Sequence, residues 1–155
     1  MVTSGHLPKG LALLRAKVAS SILRVLRIEG SSMIKITKFG GSSVSSAGQF
    51  KKVKAIVQAD PSRRFVVVSA AGKRDKFDSK ITDLLYLVNA HLQYHVTCDD
   101  LLGTIGQRFC EIAKELNLSY PISHEFGIFR ELAKRGEYTP EYIVSRGEYF
   151  TGRMM

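Results

Sequence analysis

Hydrophobic residues change their period several times along the chain, and each change predicts a new element. Between positions 11 and 26, Leu11, Leu14, Val18, Ile22, Val25 and Leu26 gather on one face of a helical wheel. Lys17, Ser20, Ser21, Arg24 and Arg27 fill the other face, with Leu13, Arg15 and Ile28 as misfits. Gly30, Ser31 and Ser32 then read as a flexible linker. From Met33 the pattern becomes regular. Ile34–Phe39 alternates and is rich in β-branched residues, which predicts a strand. A glycine–serine loop follows, and Phe50, Val53, Ile56 and Val57 then recur at helical spacing, with Pro61 just beyond the end of that helix. Arg64–Ala71 is a continuous apolar run of the kind expected for a strand covered on both faces.

Beyond a polar loop, "GKRDKFDSK", Leu84, Leu85, Leu87 and Val88 predict a second helix. A third starts near Asp99 or Asp100, with acids in its first turn. A fourth closes at Gly136. A fifth opens at Thr139 as N-cap with Pro140 in the first helical position. Strand, glycine loop, helix, buried strand and further helices make an α/β fold with a parallel sheet, whose ligands bind at the carboxyl ends of the strands.

Composition narrows the class without deciding the function. The 155 residues, 45% hydrophobic and 24% charged, are enough for one ordinary domain with a real core. The net charge of +9 divides into +4 over 1–32 (Lys9, Arg15, Lys17, Arg24 and Arg27 against Glu29) and +5 over the rest. In the second part basic residues alternate with acids such as Asp75, Asp78 and Asp83. That describes a solvated basic surface suited to phosphorylated ligands better than a nucleic-acid stripe. Cys98 and Cys110 have neither CxxC nor metal spacing, so a reduced, cytoplasmic setting is expected. The Arg-rich leader has four readings: a transit peptide, a membrane-surface helix, a tag, or a helix packed on the domain. Upstream or non-native sequence is favoured, with Met33 opening the domain.

The loop Lys38–Val44, "KFGGSSV", carries the first candidate chemistry. Gly40 and Gly41 let the backbone come close to a ligand and aim N–H groups at it. The positive end of the following helix adds to an anion site. Lys38 supplies a full charge, and Ser42 and Ser43 supply hydroxyl donors. A P-loop is excluded, because the lysine precedes the glycines. Phosphate is the expected ligand. His91 and His95 stand four apart on the second predicted helix but lack a third ligand, so no metal site is expected. Arg146 and Arg153 are weaker candidates for contact with an anionic substrate.

These residues are recognisable together. "KFGGSSV" resembles the N-terminal signature of aspartate kinases, members of the amino-acid kinase family. "FVVVSAAG", "KITDLL" and "SRGE" resemble three further elements of that family in the same order. The resemblance runs from Met33 to Met155. It implies that Lys38, Gly40, Gly41 and Ser42 hold the phosphates of ATP, with Lys38 stabilising the transferring phosphoryl group. It implies that Ser69, Thr82 and Glu148 hold aspartate, Glu148 through the substrate's α-amino group. Aspartate is a dianion with one ammonium, so hydroxyl donors and one carboxylate suit it. Taken singly, Ser69 also reads as a plain strand end, Thr82 as a helix cap and Glu148 as a solvated acid.

The implied reaction is ATP-dependent phosphorylation of the L-aspartate β-carboxylate to 4-phospho-L-aspartate, with Mg²⁺ carried mainly by the substrate phosphates. It is the first step toward lysine, threonine and methionine, and a homo-oligomer is implied for the full-length enzyme. In the family the catalytic domain is about twice as long, and ACT domains follow it. Residues 33–155 are thus expected to be its N-terminal, aspartate-binding half, inactive alone. The alternatives are another amino-acid kinase (acting on glutamate, acetylglutamate or uridylate) and a membrane- or nucleic-acid-binding module driven by the leader.

Overall fold

The computed structural model describes residues 33–155. The amphipathic segment expected at 1–32 lies outside the described residues. From Lys35 to Met155 the chain forms one unit.

Two parallel strands, β1 (Lys35–Phe39) and β2 (Arg63–Val68), make up the sheet among the described residues. Ile36 stands opposite Phe65, Lys38 opposite Val67 and Phe39 opposite Val68. Parallel neighbours need a crossover. Here a 3-10 turn, Gly41–Val44, and helix α1 (Ala47–Gln58) supply it. The end of the crossover is tied back to the start of β1. Asp60 accepts from Lys35 Nζ at 2.8 Å and from the Ser62 N–H at 3.0 Å. The Lys35 hydrogen bond, followed by those from Ser62, holds the Asp60 carboxyl well below the usual carboxylate range.

Helix α1 buries Phe50 and Val53, as their spacing predicts, but leaves Ile56 exposed. The apolar run of β2 also behaves differently from the sequence expectation. Helix contacts come to the face that carries Phe39, Val66 and Val68, whereas Ile36, Phe65 and Val67 are 72%, 58% and 46% exposed. Successive side chains of a strand point to opposite faces, so a run of valines is apolar on both whether or not both are covered. Among the described residues one face is covered.

The remaining chain is helical: α2 (Ile81–Gln93), α3 (Asp99–Glu115), α4 (Ile122–Lys134) and α5 (Pro140–Met154). α2 packs against α3 and α5, and α3 packs against α4. Phe109, Phe126, Phe129 and Phe150 meet where α3, α4 and α5 converge. Phe150 lies 5.4 to 5.9 Å from the other three ring centroids, in tilted or edge-on geometry. Such pairs contribute about 0.5–1.5 kcal/mol each beyond their buried area. The predicted helix start holds at α5, where the Thr139 hydroxyl accepts from the Tyr142 N–H and Pro140 is the first helical residue. The acids opening α3 are also as expected, and Asp99 pairs with Lys134 at the end of α4 at 2.9 Å. None of the described helices is long and apolar enough to cross a membrane.

Candidate functional site

Four short segments, Ser69–Gly72, Gly40–Ser43, the start of α2 and the middle of α5, come together; backbone hydrogen bonds join the first three, and a glycine packed on the Ala70 methyl brings in the fourth. Ser69 leaves the end of β2 with its N–H donated to the Phe39 carbonyl at 3.1 Å, which sets it beside the start of the glycine loop. Three residues on, the Gly72 N–H donates to the Gly41 carbonyl at 2.8 Å. The contact is so close that a Cβ at Gly72 would lie 2.6 Å from the Gly41 carbonyl carbon. Between these bonds, the Ala71 carbonyl accepts from the Ile81 N–H at 3.0 Å, and this fixes the first turn of α2. Finally, α5 lies against the same segment at Gly147, where a Cβ would sit 2.6 Å from Ala70 Cβ. The glycine of "SRGE" thus has a steric reason, because α5 could not approach the end of β2 so closely with any side chain there.

This arrangement places each predicted residue. Lys38 sits on the outer face of β1, exposed and without an ion pair among the described residues. Gly40 and Ser42 are exposed and Gly41 and Ser43 half-buried. Ser69 is half-buried at the strand end. Thr82 is the second residue of α2, and Lys80 holds the N-cap position. The capping alternative for Thr82 is therefore excluded. Glu148 follows Gly147 directly and is exposed. The Ser69–Gly72 segment thus brings the lysine–glycine loop, both hydroxyls and the turn of α5 carrying the carboxylate to the carboxyl ends of the two strands.

Several expectations change. The glycines do not open an α-helix directly. They open the 3-10 turn, in which the Ser43 N–H donates to the Gly40 carbonyl at 2.9 Å, and α1 begins only at Ala47. The first N–H groups of such a turn still lack partners within it. His95 is not on α2, which ends at Gln93; it adopts a left-handed backbone (φ 56°) while His91 Nδ1 faces the Thr97 carbonyl at 2.8 Å. The two rings therefore do not share a helix face. Arg146 is stacked between Tyr142 and Tyr149, at 3.8 and 4.4 Å from their ring centroids. Arg153 lies over Tyr120 at 4.9 Å. Both arginines are engaged by aromatic neighbours. Among the described residues no group of three or more His, Cys, Asp or Glu side chains could hold a metal ion.

Sequence reasoning missed Arg108, which is 3% exposed and reaches the loop after Gly72. One signal was available. Leu102, Ile105, Arg108, Phe109 and Ile112 are buried along one stripe of α3, and an arginine on an apolar stripe needs buried partners.

No profile of a known protein family matches the chain. Among curated proteins, aspartokinase 3 of Bacillus subtilis is 42% identical over 89 residues, which are 57% of this chain and 20% of the relative. Among solved structures, the aspartate kinase of Clostridium acetobutylicum superposes with a TM-score of 0.75 at 43% identity. That match covers 79% of this chain and 28% of the other. E. coli aspartokinase III, solved in complex with aspartate and ADP, gives a TM-score of 0.58 at 23% identity, over 77% and 27% of the two chains. The second likeness is one of fold. The resemblance to aspartate kinases carried by the motifs therefore holds, and the α/β fold matches part of such a kinase. The chain spans about a fifth of the length of the curated relative it matches.

Proposed function

We propose that residues 33–155 are the N-terminal, aspartate-binding half of an aspartate kinase catalytic domain. The observation that carries this reading is the Ser69–Gly72 segment, which joins the end of β1 with its glycine loop, the first turn of α2 that carries Thr82 and the α5 turn that carries Glu148, through three backbone hydrogen bonds and one glycine contact. In the whole enzyme the reaction is transfer of the γ-phosphoryl group of ATP to the β-carboxylate of L-aspartate, opening lysine, threonine and methionine synthesis. A homo-oligomeric state for that enzyme belongs to the same proposal.

The assignment of roles follows from the chemistry of the groups. Backbone N–H groups of Gly41 and Ser42 in the 3-10 turn, with the Lys38 ammonium, suit the oxygens of a polyphosphate. Lys38 would neutralise charge that develops on the transferring group. Mg²⁺ would enter with the nucleotide phosphates and lower their charge. Ser69 and Thr82 present hydroxyls to the substrate carboxylates, and Glu148 accepts from its ammonium. The β-carboxylate is itself the nucleophile, so no protein group has to remove a proton from it.

Binding and turnover test different parts of this reading. Titration of L-aspartate into the 155-residue chain should shift the backbone amides of Ser69, Thr82 and Glu148, and L-glutamate should shift them less. Glu148→Gln removes a charge-assisted hydrogen bond of about 1.5–3 kcal/mol, so aspartate affinity should fall about 10- to 100-fold. Equal responses to both amino acids would overturn the substrate assignment. A coupled assay at high ATP and aspartate should show no turnover by this chain. Turnover that Lys38→Ala abolishes would overturn the half-site reading.

A further inference from the structure

Arg108 lies in the middle of α3, and its partners all belong to the loop between β2 and α2. Nη1 donates to the Ser79 carbonyl at 2.7 Å, Nη2 donates to the Gly72 carbonyl, and Nη2 also pairs with Asp78 Oδ2 at 3.1 Å. Nε is buried without a partner. The guanidinium therefore grips both ends of the Gly72–Ser79 loop through two carbonyls seven residues apart. Asp78 in turn accepts from the Arg74 N–H and from Arg74 Nε, each at 2.9 Å, and Arg74 Nη1 reaches Glu111 of α3 at 3.3 Å.

The Gly72 carbonyl is one side of a residue whose N–H holds the Gly41 carbonyl of the glycine loop. Ser79 stands two residues before Ile81, whose N–H is held by Ala71. One buried side chain thus connects, through Gly72 at one end and through the Ser79–Lys80 link at the other, to the phosphate-side loop and to the helix start that carries Thr82. A lysine gathers its three donors on one nitrogen at the end of a flexible stem, whereas the planar fork of arginine sets a separate nitrogen against each carbonyl in a fixed geometry.

We infer that Arg108 is a positioning residue that sets the spacing between the Gly40–Ser43 loop and the Thr82 turn. It touches neither ligand and acts through the Gly72 and Ser79 carbonyls. The assignment of the two loops to phosphate and aspartate rests on the function proposed above, whereas the mechanical link does not.

Amide hydrogen exchange and tripolyphosphate titration of the whole chain separate the two. In Arg108→Met and Arg108→Lys, exchange at Gly72, Ile81 and Ser43 should quicken at least about tenfold, as expected when a buried hydrogen bond is lost. Phe126, Phe129 and Ala133 of α4 should keep wild-type protection, and tripolyphosphate affinity should fall about tenfold in parallel. The lysine variant keeps the charge beside Asp78, so it tests geometry where the methionine variant also removes charge. Unchanged loop exchange overturns the inference. So does an equal rise at every amide, or unfolding of both variants, since either makes Arg108 a general prop. If the wild-type chain does not bind tripolyphosphate, the phosphate assignment fails while the exchange pattern still decides the role of Arg108.

Discussion

The helical part of the molecule and the sheet with its loops are held together by different physics. Where α3, α4 and α5 converge, four phenylalanines are all but fully buried and touch one another. At the strand ends backbone hydrogen bonds join the loops, with glycines at the closest approaches and a charged side chain beneath. Burial is non-directional and tolerant of small shifts, whereas a backbone clasp holds few atoms in one geometry. The candidate site belongs to the second kind. Stability and site geometry should therefore respond to different substitutions.

Phe150→Ala gives the largest expected effect, about 3–5 kcal/mol of stability, because the ring fills the centre of the aromatic cluster. Urea unfolding measures it, and a loss under about 1 kcal/mol would mean that the cluster collapses around the gap. Gly147→Ala is smaller in atoms yet should cost about 1–3 kcal/mol, since its methyl meets Ala70 Cβ with no flexible end to give way. Unlike Phe150→Ala, it should shift the amides of Ser69 and Thr82; an unmoved spectrum there would remove the steric account of that glycine.

Acid tests the comparison from another side, because Asp78 sits on the loop and the phenylalanine cluster carries no charge. Burial alone would raise the Asp78 carboxyl, yet the Arg74 hydrogen bonds and the Arg108 charge hold it at about 2, below an ordinary 3.8. A lowered folded value means that its stabilising contribution is complete above about pH 4 and is lost as the pH falls toward about 2. In acid titration followed by hydrogen exchange, the Gly72–Ser79 loop should open before α4, and Asp78→Asn should quicken loop exchange already at neutral pH and remove its acid dependence. Phe65→Thr gives the smallest effect, within about 0.5 kcal/mol, because the ring stands on the open face of the sheet. A cost above about 2 kcal/mol would show that this face is covered in solution.

Much of the fold is legible in the order of residues alone. Period-2 alternation places β1 within a residue of its observed start, and helical spacing with caps places α3 and α5. The local signals are strong there because one side of each element is apolar, and at α5 Thr139 and Pro140 mark the first turn. Motif order brings Lys38, Gly40, Gly41, Ser42, Ser69, Thr82 and Glu148 forward as one set, and the fold gathers the segments that carry them around Ser69–Gly72. The misses have two causes. Whether both faces of β2 are covered and that Arg153 lies over Tyr120 depend on partners distant in sequence, whereas the end of α2 before His95 and the stacking of Arg146 on Tyr142 and Tyr149 are local choices of backbone and rotamer that periodicity does not register.

The amino-acid sequence by itself determined the elements, their order and the residue types offered at the strand ends, because propensity, periodicity and capping act over a few neighbouring residues. Only the tertiary structure decided that Gly72 clasps Gly41, that Gly147 admits α5 against Ala70, and that Arg108 grips the loop from below. Those contacts join residues separated by 31, 77 and 36 positions, and nothing in the local pattern of either partner specifies the other.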